Sequence, residues 1–187
     1  MPKKELRLDY QKLRNKLSPE ALDTFSLQIA NKLLKLPIWS LDYYHLFLSI
    51  AEKKEIDTSF ILSILQGKDK NIVLPKMTKD GALVNYLLTD ATTIKKNKWN
   101  VPEPLDGLEV PIQKIDVVFI PLLAFDIHGN RVGYGKGFYD HFLAQCRLDV
   151  IKVGLSFFEA EKEKITDINE DDVPINYCIT PLKIYEF

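Results

Sequence analysis

Residues 115–126 read IDVVFIPLLAFD, and Val117 to Ile120 are four consecutive β-forming side chains with no polar residue between them. A strand with one wet face alternates polar and apolar residues, whereas one that does not alternate must be covered on both faces. Uniformly apolar runs recur at 43–50 (YYHLFLSI), 71–77 (NIVLPKM) and 150–157 (VIKVGLSF), with a weaker strand at 81–88 and one or two in 177–187. Between them lie segments of helical spacing. Leu6, Tyr10, Leu13 and Leu17 form a stripe along 3–17, and Leu22, Phe25, Ile29, Leu33 and Leu36 form another, started by Ser18 and Pro19 and stopped before Pro37. Shorter helices are predicted over 57–67 and 138–146, and KWNVPEP (98–104) reads as a proline-fixed loop. Strands alternating with helices predict a parallel sheet with helices on both faces, and ligands bind such sheets beyond the carboxyl ends of the strands.

The chain of 187 residues is read as one domain spanning 1–187. Lys and Arg total 25 against 26 for Asp and Glu, a formal net charge of -1. That balance argues against a protein that coats nucleic acid, though a local basic site for phosphates or carboxylates stays open. No apolar run is long enough to cross a bilayer, and MPKKELRLDY lacks the apolar core of a signal peptide, so no membrane partner and a cytoplasmic location are expected. Cys146 and Cys178 have neither metal-ligand spacing nor a disulfide framework and are expected as reduced core thiols.

Only 8 glycines occur, yet three of them alternate at 133, 135 and 137 within RVGYGKGFYDHFL (131–143), between the 115–126 strand and the 138–146 helix. Glycine admits positive φ and lets a ligand touch the backbone, and successive amides in such a loop can form an anion cradle. The following helix adds its unpaired N–H groups, and Arg131 and Lys136 add full charges. No Ser or Thr follows Lys136, so the P-loop pattern fails, as does the dinucleotide spacing. Taken alone, the loop serves equally as a phosphate site or as a flexible connector. Lys3, Arg7 and Arg14 fall within about a 40° sector of the first helix, at about 100° per residue, either as a solvated flank or as an edge facing phosphate.

With its neighbours included, IPLLAFDIHGNRVGYGKGFYDHFL resembles the signature of the 5-formyltetrahydrofolate cyclo-ligases, also called methenyltetrahydrofolate synthetases. The likeness extends to Lys3 and Arg7, to LSIAEKKEIDT, the PKM strand, the WNVPEP loop, VGLSF and NEDDVPINYCIT, in the family's order. The resemblance implies a three-layer α/β/α fold with a mostly parallel sheet and a Rossmann-like architecture, akin to the sugar-phosphate isomerases and CoA transferases. It also implies an ATP- and Mg²⁺-dependent enzyme, expected as a monomer, that converts 5-formyltetrahydrofolate to 5,10-methenyltetrahydrofolate and releases ADP and phosphate. The formyl oxygen on nitrogen 5 is a poor leaving group. Taking the γ-phosphoryl group would make an iminium phosphate that nitrogen 10 can attack. Such chemistry asks the protein for alignment and charge neutralisation rather than a nucleophile.

Carried over by position, the resemblance implies nucleotide contacts from Lys3, Lys4, Glu5, Leu6 and Arg7, and from Arg131, Val132, Gly133, Tyr134, Gly135, Lys136, Gly137, Phe138 and Tyr139. Arg131 and Lys136 are the expected catalytic cations. The folate is expected at Ile50, Glu55 and the stretch Tyr134 to Phe138, with Glu55 accepting from the pterin's donor edge. Asp140 and Asp172 are expected to hold magnesium. Trp99 and Tyr86 are aromatic candidates beside a flat ligand or in the core, and Lys76 is a surface lysine or a phosphate partner. His45 is expected in the core and His128 in a turn, while His141, one turn into the helix, could approach phosphate but is not assigned a direct role. The sequence departs from the family pattern at Leu122, Lys136, Phe138, His141 and Asn176, none of which removes an assigned charge. A relative that binds ATP or a folate without turnover is the alternative.

Overall fold

The computed structural model describes residues 1–78 and 82–187. In chain order the elements are α1 (Lys3–Asn15), α2 (Pro19–Leu33), β1 (Tyr43–His45), α3 (Ser59–Gly67), β2 (Asn71–Met77), β3 (Leu83–Leu87), β4 (Ile94–Lys96) and β5 (Pro102–Pro104). They continue with β6 (Val117–Pro121), β7 (Ala124–Phe125), β8 (Arg131–Val132), α4 (Phe138–Gln145), β9 (Ile151–Leu155), β10 (Tyr177–Ile179) and β11 (Ile184–Glu186). Seven strands form the central sheet in the order β11-β10-β9-β6-β1-β2-β3. The five inner strands run parallel, and β3 and β11 close the two edges antiparallel.

The uniform apolarity of 117–120 has a direct cause. Val117 and Phe119 pack into a cluster with Ile29 and Leu33 of α2 and Ile61 and Leu65 of α3. Val118 and Ile120 point the other way, into a cluster with Phe142 and Leu143 of α4. Successive side chains of one strand thus serve two cores, giving the three-layer α/β/α arrangement. Fully burying a side chain of this size stabilises by about 1.5–3 kcal/mol, so a polar residue at any of the four positions would cost one core or the other.

Several boundaries differ from the sequence expectation. The 115–126 run divides, because after Pro121 the chain leaves the central sheet and Ala124–Phe125 pairs instead with Arg131–Val132. Leu122 and Leu123 bridge the two sheets, which is why the apolar pattern continues while the strand does not. The 98–104 segment is more than a loop, since Pro102–Pro104 pairs antiparallel with Ile94–Lys96. Strand 43–50 shortens to Tyr43–His45, although the Leu46 N–H still donates to the Val73 carbonyl at 2.9 Å. Gly81, which opened the strand expected at 81–88, lies outside the described residues. The terminal segment forms two strands, as one of its readings had it.

α1 stands apart from both sheet-covering layers and packs on the β7–β8 hairpin, where Leu6, Ala124, Val132 and Ile165 form a small core. Its buried face is partly ionic: Lys3, Leu6 and Arg14 are buried, whereas Leu13, expected in the apolar stripe, is 43% exposed. A 3.6-residue period finds the face but does not tell whether its charges point to water or to a site.

Candidate active site

The sheet order reverses between β1 and β6, since the chain passes from β1 to β2 on one side and later returns to β6 on the other. The carboxyl ends of these strands diverge there, leaving a crevice. A cleft of about 510 Å³ occupies it, floored by Phe47 and Ile50 after β1 and by Ile120 and Pro121 of β6. The glycine loop forms one wall and the 97–101 turn with Trp99 lines another, while α1 supplies Lys3 and Arg7.

The loop's three glycines have separate duties. Gly135 and Gly137 have φ of +88° and +70°, which L side chains rarely adopt. A Cβ at Gly135 would also sit 3.0 Å from Cζ and Nε of Arg7, whose guanidinium lies against the loop and donates from Nε to the Gly133 carbonyl at 3.0 Å. Gly137 directly precedes α4, and its left-handed conformation lets the chain turn into the helix. Above Gly133 no described atom lies within 4 Å of where a Cβ would be. That face is bare.

Around the loop the charges are already matched. Arg131, its side chain only 6% exposed, donates to Asp140 Oδ1 at 2.5 Å. Lys3 pairs with Asp172, and the Lys3 N–H is capped by Asp167 Oδ1 at 2.7 Å. Burial pulls the Arg131 pKa below its ordinary value, and the Asp140 carboxylate opposes that fall. Burial works against the Asp172 carboxylate, but Lys3, the Asn169 N–H and Arg131 hold its pKa below the usual carboxylate range. Lys136 is exposed, its ammonium 5.7 Å from the Trp99 ring centroid and 5.9 Å from that of Phe138. It is free to move onto an incoming anion.

Away from these charges the lining is mostly apolar, with Lys53, Glu55 and Glu103 as its charged members, and Glu55 is the buried one. This carboxylate is 8% exposed, accepts from the Ile50 N–H at 2.7 Å and receives the Tyr134 hydroxyl at 2.6 Å. Burial raises its pKa above the ordinary glutamate value, against the pull of Tyr134, the Ile50 N–H, Arg14 and Lys53.

Lys3, Arg7, Arg131, Gly133 to Asp140, Ile50, Glu55 and Asp172 therefore share one cleft with Trp99. Lys4 and Glu5 are exposed outside it, and Leu6 and Val132 are spent on the small core beneath α1. Lys76 donates to the Leu105 carbonyl and lies 6.0 Å from the Tyr86 ring centroid, so neither residue reaches the cleft. His45 is fully buried against Phe142. His128 takes part in the tight turn set by Asp126, whose two oxygens accept from His128, Asn130 and Ile165. His141 faces an acidic hollow beside the cleft with Glu170 and Asp171. Sequence reasoning did not single out Asp167 or Lys53, which carry no local signal. Among the described residues no three His, Cys, Asp or Glu side chains cluster as a protein-only metal cage. Two carboxylates beside basic side chains are the kind of donor set a magnesium ion accepts when most of its other ligands are water or ligand oxygens.

The family described as the 5-formyltetrahydrofolate cyclo-ligase family matches residues 1–181. The chain belongs to that family. It is similar to the 5-formyltetrahydrofolate cyclo-ligase of Escherichia coli (strain K12), 30% identical over 182 residues, covering 93% of this chain and 97% of the relative. It is also 25% identical over 202 residues to a probable 5-formyltetrahydrofolate cyclo-ligase of Schizosaccharomyces pombe, covering 98% and 97% of the two chains. Among solved structures, the Aquifex aeolicus 5,10-methenyltetrahydrofolate synthetase superposes with a TM-score of 0.78 at 26% identity, over 100% of this chain and 93% of that one. The Mycoplasma pneumoniae synthetase, at 22% identity and a TM-score of 0.73 over 96% and 98% of the two chains, shows the same fold. The two solved structures share this chain's fold, and the cleft at its sheet reversal is where this member gathers its charges.

Proposed function

We propose that this cyclo-ligase binds ATP along the glycine loop and 5-formyltetrahydrofolate across the apolar end of the same cleft, and converts the folate to 5,10-methenyltetrahydrofolate. The observation that carries the reading is the division of a single cleft. One end holds Lys3, Arg7, Arg131 and Lys136, and the other holds an apolar floor with one buried carboxylate. A polyphosphate suits the first end and a flat heterocycle with a donor edge suits the second.

The protein's own part in the chemistry is orientation and charge. Arg131 and Lys3 would turn from their carboxylates to phosphate oxygens, and Lys136 would swing in from its aromatic seat. The carboxylates so released, Asp140 and Asp172, would hold Mg²⁺, which spreads the charge of the polyphosphate. Glu55 and Ile50 would fix the pterin so that the formyl oxygen meets the terminal phosphoryl group. The oxygen takes that group from ATP, ADP departs, and nitrogen 10 attacks the activated carbon and expels phosphate. Holding the partners in line is worth several orders of magnitude in rate without any protein nucleophile. We read the working form as a cytoplasmic monomer acting through one domain. No described helix is long and apolar enough to cross a membrane.

Purified protein given 5-formyltetrahydrofolate and Mg²⁺ should show the absorbance of the methenyl product only when ATP is added, with one phosphate released per folate. Binding of both ligands with no absorbance change would replace the enzyme by a non-catalytic relative.

A further inference from the structure

α1 reaches the cleft wall again two turns beyond Arg7, through Arg14. This residue is 4% exposed and does not line the cleft, so direct contact with a ligand is not its task. Its Nη2 donates to the Leu122 carbonyl at 2.5 Å and its Nη1 to the Tyr134 hydroxyl at 2.8 Å. Guanidinium has no acceptor, so the single proton of that hydroxyl is committed elsewhere, and it goes to Glu55 Oε1 at 2.6 Å. The chain of donors therefore runs one way, from Arg14 through Tyr134 to Glu55. It requires Glu55 Oε1 to be an acceptor, and Oε2 already accepts from the Ile50 N–H. Each oxygen keeps a further lone pair for the cleft.

We propose that Arg14 is a positioning residue which, acting through Tyr134, holds Glu55 as an oriented anion ready to accept two N–H bonds from the ring of the folate. The inference rests on the reading of the cleft given above. The turn that carries Glu55 is tied to the same helix end, because Lys54 Nζ donates to the Asn15 and Leu17 carbonyls, both at 2.7 Å. The groups facing Glu55 are Tyr134 of the glycine loop, Arg14 of α1, Lys53 of the turn before it and Tyr139 of α4. The Lys53 ammonium lies 4.4 Å from the Tyr134 ring centroid, so it too is held beside the phenol. Burial alone favours the protonated acid at Glu55, and a neutral carboxyl would present a proton where the pterin edge needs an acceptor. A guanidinium is a permanently charged group, which makes it a dependable source of the opposing charge.

The test reads Glu55 directly. Side-chain carboxyl ¹³C resonances of the ligand-free protein are followed against pH, and the Glu55 signal is assigned by its loss in Glu55→Gln. Arg14→Met and Tyr134→Phe should each move the Glu55 midpoint upward, with Arg14→Lys between them and the unaltered chain. Tyr134→Phe removes one oxygen and guards against an Arg14→Met protein that fails to fold. In turnover, the KM for 5-formyltetrahydrofolate should rise by up to about tenfold for each pH unit below the new midpoint, the rate at which an ionised fraction falls. An unmoved midpoint in Tyr134→Phe overturns the proposal, and so does a loss of activity that is uniform across pH, as a merely structural role would give. Because the midpoint is read without turnover, a chain that never converts the folate refutes the functional reading and leaves this one to be decided by the titration.

Discussion

Replacing the three loop glycines by alanine one at a time separates backbone need from ligand access. At Gly135 the new side chain meets two penalties. A φ of +88° costs an L residue about 1–2 kcal/mol, and the Cβ lies 3.0 Å from the Arg7 guanidinium. Pushing that group away forfeits its bond to the Gly133 carbonyl, and a hydrogen bond from a charged donor is worth about 1.5–3 kcal/mol. Gly135→Ala should therefore destabilise by roughly 2.5–5 kcal/mol. Gly137→Ala, with φ of +70° and open space, carries only the backbone cost of about 1–2 kcal/mol. Gly133→Ala has neither penalty and should leave stability unchanged or slightly raised, by less than about 1 kcal/mol. Urea unfolding ranks the three, and calorimetric titration with ATP and Mg²⁺ gives the other axis. There Gly133→Ala should be the variant that keeps its fold and loses at least about tenfold in affinity, since its methyl occupies the bare face that a phosphate would approach. If Gly135→Ala unfolds at the same urea concentration as Gly133→Ala, the packing of Arg7 on the loop is wrong. If Gly133→Ala binds ATP normally, the ligand does not come to that face.

His45 provides a pH signature independent of catalysis. Burial lowers its pKa to about 3, below the ordinary 6.5, and neither ring nitrogen has a partner among the described residues. The unfolded chain therefore binds the extra proton, so stability is full above pH 6.5 and is lost as pH falls toward 3. Calorimetric scans should show Tm dropping by roughly 3–6 °C per pH unit in that window from this residue. The His45→Leu chain should show a shallower slope, and an unchanged slope would exclude the residue as the cause. Lys136→Ala should weaken ATP use with no change in Tm, because the side chain is exposed, whereas Arg131→Ala should lower both by stranding Asp140. Equal Tm for those two variants would count against the buried pair. Asp172→Asn should raise the Mg²⁺ concentration needed for half-maximal turnover, and an unaltered metal titration removes that residue from the magnesium site.

Much of the architecture could be read before folding was considered. The unbroken apolar run at 117–120 demanded two covered faces, and the observed alternation of its side chains between two cores follows from the period of two in a strand. The glycine spacing announced a loop in which side chains were unwelcome, and the stripe of Lys3, Arg7 and Arg14 announced a charged edge on the first helix. Local pattern failed where a chain changes partner. Nothing in IPLLAF marks the point at which the strand leaves one sheet for another, because Leu122 and Leu123 are as buried in the crossing as they would be in a strand. Tyr86 and Lys76 were open between a site role and a plain structural one and lie outside the cleft, whereas Trp99, equally open, lines it.

The pattern of apolar residues and turns, then, determined the layers, the sense of the sheet and the end at which the cleft opens, since each depends on periodicities of a few residues. Which charge meets which was decided by the tertiary structure alone. Lys3 finds Asp172 across 169 positions and Tyr134 finds Glu55 across 79, and no local rule connects residues so far apart. The same holds for Arg14, one more cation on a helix surface by its sequence. It became a buried partner of Tyr134, which in turn bonds Glu55, only when α1 lay down beside the glycine loop, where removal from water makes every unpaired proton costly and every pairing specific.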